Sequence, residues 1–219
     1  FNTITIPSGG TFTFSVTGAD VAGTFGGRWR LISAGTGWRA YLQWAAVSNQ
    51  LAARWVFCFN TLPTVNMLIA VIVNGSFTSN MQMLYVTASQ TLQTRNAAGT
   101  NIGPASSAIS ANTVYVLEAQ MDCSNSNTTG TIQTQLYALA NPGVLLLNYA
   151  SGATVDAGGG AASPQPIRGS LGNNDIVANL DLTFDDLFFV TGTLTPVGAP
   201  YTGPVISPPQ LVLMRTEVS

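Results

Sequence analysis

The chain has 219 residues, 46% of them hydrophobic and only 7% charged, with a formal net charge of −2. Ordinary soluble domains carry about 25% charged residues, so Thr, Ser, Asn, Gln and Gly must cover this surface. The weak charge excludes electrostatic binding of DNA or RNA, and the hydrophobic content excludes a disordered chain. All basic residues are Arg and there is no His, which removes His-based triads, His metal sites and Schiff-base chemistry. No run of about 18 apolar residues predicts a membrane span. The length suits one large all-β domain or two small ones and a sizeable core.

In chain order, Phe1 to Ile6 reads as a short strand ended by Pro7-Ser8-Gly9-Gly10. Thr11 to Thr17 alternates, with Phe12, Phe14 and Val16 inward, and Gly18 to Gly27 is a glycine-punctuated loop. Arg28 to Ile32 is a strand. After a glycine turn, Trp38, Ala40, Leu42 and Trp44 share one face, with Arg39, Tyr41 and Gln43 on the other. Leu51 to Phe59 repeats the pattern, with Trp55, Phe57 and Phe59 in and Arg54 out. Met67 to Val73 is apolar on both parities, as in a central strand covered on both sides or one whose second face a partner hides. Asn74-Gly75 signals a hairpin turn. Met81 to Thr87 and Thr91 to Arg95 are strands, and Asn96 to Ala108 reads as a loop.

The strongest signal spans Thr113 to Leu139. Tyr115, Leu117, Ala119 and Met121 share one face of a first run, and Ile132, Leu136 and Ala138 one face of a second. Gln133, Gln135 and Tyr137 lie opposite, and the polar segment Ser124 to Gly130 connects the runs. This is the pattern of a long β-hairpin. Strands follow at Val144 to Tyr149, Ile167 to Gly172 and Leu180 to Val190. From Pro196 prolines recur, at Pro200, Pro204, Pro208 and Pro209, around Tyr201. Proline cannot donate to a ladder, so this tail is expected to be an extended arm for assembly. The expected organisation is a β-sandwich over 1–195 and the arm over 196–219. Cys58 and Cys123 lie in or beside strands and are expected as buried thiols, a disulfide between them staying open.

Five segments carry a family resemblance: MLIAVIV; NGSFTSNMQMLYVTASQTLQTRNAAG; NTVYVLEAQMD with GTIQTQLYA; IRGSLGNN; and LTFDDLFFVTG leading to PVGAPYTGP. Their order, from Leu62 to Tyr201, resembles the concanavalin A-like jelly roll in its laminin-G-like form. The combination is similar to domains of tailed-bacteriophage tail, fibre and capsid-associated proteins. The resemblance implies an all-β fold: an antiparallel two-sheet jelly-roll sandwich.

Enzymatic chemistry finds few groups. Retaining glycosidases need two carboxyls about 5 Å apart. The only glutamates, Glu118 and Glu217, are far apart in the chain, and the adjacent Asp185 and Asp186 point to opposite faces of a strand. No catalysis is therefore expected. No cofactor is expected either, with Ca²⁺ left open at Asp175, Asp185 and Asp186, since no stretch clusters three carboxylates. Jelly-roll lectins present aromatics and amides on a sheet, which nominates Arg39, Tyr41 and Gln43 with Gln133, Gln135 and Tyr137 for sugar. The expectation from sequence is a non-enzymatic virion structural protein, a capsid decoration, fibre or minor tail component on the extracellular surface of the particle. Its expected partners are copies of itself and other virion subunits, without nucleic acid or membrane. The alternative is a lectin-like module that binds host cell-wall carbohydrate.

Overall fold

The computed structural model describes residues 11–15, 28–34, 38–43, 48–74, 80–86, 89–123, 130–152, 166–173 and 179–193. Among these there are thirteen strands and no helix. In chain order they are β1 (Thr11–Ser15), β2 (Arg28–Ala34), β3 (Trp38–Gln43), β4 (Gln50–Thr61), β5 (Met67–Asn74), β6 (Asn80–Val86) and β7 (Leu92–Arg95). They continue with β8 (Asn101–Ala105), β9 (Val114–Asp122), β10 (Thr131–Ala138), β11 (Leu145–Ala150), β12 (Pro166–Asn173) and β13 (Asn179–Thr191).

The strands form two sheets. One has seven strands in the order β1-β2-β13-β4-β9-β10-β11, the other six in the order β3-β12-β5-β6-β7-β8. All their ladders are antiparallel. The fold is thus the expected all-β, antiparallel two-sheet jelly-roll sandwich. The expected hairpin is β9 and β10, in unbroken register from Asp122 opposite Thr131 to Tyr115 opposite Ala138.

Strand alternation decides the core. Trp55, Phe57 and Phe59 of β4, Leu117 and Met121 of β9, and Leu136 of β10 all enter one buried cluster between the sheets. The Phe57 ring meets Phe59 edge-on at a centroid distance of 5.6 Å and lies 6.1 Å from Tyr115. Burying each such side chain contributes roughly 1.5–3 kcal/mol. The two-parity strand Met67 to Val73 is β5, inside its sheet between β12 and β6. A register shift between Leu68 and Ala70 adds a residue, so Ile69 and Ala70 both join the main core, while Val71 packs with Leu68 in a separate cluster.

The expected loop Asn96 to Ala108 is corrected, because it contains β8. The chain reverses at Asn96, whose Oδ1 accepts from the Thr100 N–H at 2.9 Å, with Gly99 at φ 76°. Pro104 has no N–H to give, but an edge strand tolerates proline, and β8 ends its sheet. The buried Gln93 side chain ties β8 down through its carbonyls: its Nε2 donates to those of Ile102 at 3.0 Å and Gly103 at 3.1 Å. Opposite β8 stands β11, the last strand of the other sheet. The Tyr149 ring occupies the space that a Cβ on Gly103, at φ 68°, would need.

Cys58 and Cys123 are both buried thiols. Cys58 donates to the Phe59 carbonyl at 3.6 Å, and Cys123 belongs to the main core. The expected strand Phe1 to Ile6, the loop Gly18 to Gly27, Val16, Trp44, Gly75, Asp175 and the proline-rich arm from Pro196 lie outside the described residues.

Candidate functional site

Alternation sends every second side chain of the seven-stranded sheet away from the core. On that outer face, cross-strand pairing aligns polar residues into rungs. The central rung is Arg54 of β4 opposite Glu118 of β9, then Gln135 of β10, then Asn148 of β11. The next rung toward one end joins Ala52, Gln120 and Gln133; toward the other it joins Val56, Val116 and Tyr137. The register with β13 places the backbone of Phe188 opposite Arg54.

The charged members of this face are buried: Arg54 is 7% exposed and Glu118 5%. Desolvating a charge costs several kcal/mol unless other groups compensate. The compensation is local. The Tyr137 hydroxyl donates to Glu118 Oε1 at 3.3 Å, diagonally across the β9–β10 ladder. Burial, then the charge of Glu118 and its hydrogen bond, push the Tyr137 pKa up to about 12, with Arg54 acting in the opposite sense. The phenol is therefore a proton holder throughout the ordinary pH range. Val56 and Val116 pack with Tyr137 in a small apolar cluster that fixes its ring.

The two ends of the face are also polar. Gln50 Nε2 donates to Asp122 Oδ2 at 3.0 Å. At the opposite end, Asn60 Nδ2 donates to Asp181 Oδ1 at 2.8 Å and to Thr183 Oγ1 at 2.9 Å. From Gln50 to Asn60 the strand runs about 30 Å at a rise of roughly 3.3 Å per residue, long enough for an extended chain to lie along it. Half-exposed Gln133 and Gln135 and exposed Asn148 bring amides to the solvent side of β10 and β11.

The structure divides the sequence-nominated sugar residues. Gln133, Gln135 and Tyr137 lie on β10 of the seven-stranded sheet. Arg39, Tyr41 and Gln43 lie on β3, an edge strand of the six-stranded sheet, at register positions opposite Gly172, Ser170 and Arg168. Period-2 patterning finds amphipathic strands but does not say which sheet they enter. Arg54, Glu118, Gln120 and Asn148 were not nominated, because only register brings them to Gln135. Asp185 sits opposite Val56, at a register shift in β13. Among the described residues no group of three or more acidic or Cys side chains is placed to hold a metal ion.

No protein-family model matches the chain, and no curated protein matches it. Solved structures do. A sialidase superposes with a TM-score of 0.53 at 9% identity, over 76% of this chain and 16% of that one. Alginate lyase A1-II′, a member of polysaccharide lyase family 7, gives 0.51 at 10% identity, over 74% of this chain and 79% of that one. Trypanosoma rangeli sialidase gives 0.50 at 11% identity, over 74% and 27%. The chain thus spans about a quarter or less of the sialidases. At these identities the likeness is one of fold.

The expectation of a non-enzymatic virion structural protein is corrected here. The two sialidases and the alginate lyase, which this chain resembles over a part or most of their length, are enzymes named for carbohydrate substrates, and these three likenesses carry no link to a phage particle. A low charge count, a two-parity apolar strand, a proline-rich tail and a resemblance to phage proteins do not decide against catalysis. Composition counts charges without placing them, and Arg54 and Glu118 face each other at the middle of one sheet.

Proposed function

We propose that the chain is a carbohydrate-active domain that takes a polysaccharide along the outer face of its seven-stranded sheet and acts on it at Arg54, Glu118 and Tyr137. The observation that carries this is the Tyr137–Glu118 hydrogen bond on the rung of Arg54. A phenol hydrogen-bonded to a buried carboxylate, with an arginine opposite that carboxylate on the neighbouring strand, sets a proton donor, an acceptor and a cation on one sheet face, and such groups cluster at functional sites. The sandwich fold shared with sialidases and an alginate lyase supports it, as does the concanavalin A-like pattern of the sequence.

The described face offers Glu118 no second carboxylate as a cross-strand neighbour; its rung partners are Arg54 and Gln135. Elimination therefore suits these groups better than two-carboxylate hydrolysis. On a uronate polymer, Arg54 neutralises the sugar carboxylate and so acidifies the adjacent ring C–H. Glu118 takes that proton, the electron pair forms the ring double bond, and the glycosidic C–O bond breaks. Tyr137 gives its proton to the leaving oxygen. The proton on Glu118 then returns to the Tyr137 phenolate along their hydrogen bond, and both groups are restored.

The test is incubation with uronate polymers and neutral glucans, following ultraviolet absorbance of the unsaturated product and new reducing ends. Cleavage by the wild type, lost in Tyr137→Phe and Glu118→Gln, is the expected result. Full activity in Tyr137→Phe, or neither binding nor cleavage of any polymer, would sink the proposal.

A further inference from the structure

Beside the charged centre, Gln135 and Asn148 face each other across β10 and β11. Gln135 Nε2 donates to Asn148 Oδ1 at 3.2 Å. That bond uses one donor of the glutamine and accepts on the only acceptor atom of the asparagine. What remains is an acceptor, Gln135 Oε1, and a donor pair, Asn148 Nδ2, besides the second Nε2 hydrogen of Gln135 and the second lone pair of Asn148 Oδ1; neither side chain has a further partner among the described residues. Asn148 is exposed and Gln135 half-buried, and both continue the rung of Arg54 and Glu118.

An acceptor and a donor held side by side match two neighbouring hydroxyls of a sugar ring: one hydroxyl donates to Gln135 Oε1 and the other accepts from Asn148 Nδ2. We propose that the Gln135–Asn148 amide pair is a subsite that reads a vicinal diol of the polysaccharide, next to the reacting position. This rests on the proposed carbohydrate function and adds a specificity-determining element to it. The half-buried Gln133, one rung away on the same strand and face, extends the amide row toward Gln120. The pair is uncharged, so the sugar it takes is selected by hydroxyl geometry and not by charge, whereas Arg54 selects charge. The two functions therefore separate by substitution.

The experiment measures binding of wild type, Asn148→Ala and Gln135→Leu to a panel of uronate polymers and neutral glucans by affinity electrophoresis and calorimetry. It includes the same polymers with their hydroxyls methylated. Thermal unfolding checks that each variant is folded, and because Asn148 is exposed, Asn148→Ala should melt with the wild type. For a polymer that the wild type binds, each variant should weaken binding about five- to tenfold, the worth of one or two net hydrogen bonds. Methylation should weaken the wild type by at least that factor and the variants by less, since each has already lost one of the two contacts. Wild-type affinity in both folded variants would overturn the diol subsite while leaving the carbohydrate function standing. Absence of binding to every polymer would overturn both.

Discussion

The Tyr137 hydroxyl donates to Glu118 Oε1 at 3.3 Å, from β10 to the neighbouring β9. The contact is diagonal: Glu118 stands opposite Gln135, and Tyr137 opposite Val116. It joins two residues from the two arms of one hairpin, on the face turned away from the core.

Burial of this phenol, with the charge and hydrogen bond of Glu118 added to it, gives stability a signature at alkaline pH. The Tyr137 pKa is pushed from 10.0 to about 12 in the folded chain. Its folded value lies above the unfolded one, so the stability it contributes is complete below pH 10 and is lost as pH rises through 12. Tyr137→Phe should cost about 1 kcal/mol at neutral pH for the lost hydrogen bond. The melting temperatures of wild type and variant should converge between pH 10 and 12. A constant difference across that window would show that the phenol does not titrate as described.

Arg54 and Glu118 are buried directly opposite each other on β4 and β9. Removing one charge leaves the other desolvated beside an apolar replacement. Arg54→Met and Glu118→Leu should each cost about 3 kcal/mol in urea unfolding. The double variant should cost clearly less than the sum, because no buried charge then remains on that rung. Additive losses would mean that the two side chains do not interact.

Gly103 and Gly99 separate strain from collision. Both have positive φ, at 68° and 76°. A Cβ on Gly99 meets nothing within 4 Å, whereas on Gly103 it enters the Tyr149 ring. Gly99→Ala should cost about 1 kcal/mol, the strain alone. Gly103→Ala adds displacement of Tyr149 and should cost about 3 kcal/mol. Equal losses in thermal unfolding would mean that Tyr149 moves aside freely.

Gln93 substitutes for backbone bonding along β8. Gln93→Leu deletes its bonds to the carbonyls of Ile102 and Gly103 and should cost about 2 kcal/mol. Amide exchange should accelerate in Asn101 to Ala105 while the β9–β10 amides keep their protection. Uniform acceleration through both sheets would instead mark global destabilisation.

Period-2 alternation is a local property, and it was legible. Tyr115, Leu117, Met121, Ile132 and Leu136 enter the core as their spacing in the sequence requires. Gly103 and Pro104 hid β8, because both are poor strand formers and the groups that rescue them, Gln93 and Tyr149, lie elsewhere in the chain. The face carrying Arg54, Glu118, Gln135 and Asn148 was half legible: each residue could be assigned a parity, but none could be assigned a neighbour.

From the order of its residues alone, the chain settled which side chains turn inward and that they belong to stacked antiparallel sheets, since burying alternate apolar groups has few other solutions. The tertiary structure decided which strands lie side by side. Asn60 reaches Asp181 across 121 positions, and β4 lies between β9 and β13. Ladder hydrogen bonds are the same for every sequence, so pairing over such distances is chosen by how the two sheets close on one shared core. That choice put a cation, a carboxylate, a phenol and two amides within reach of each other.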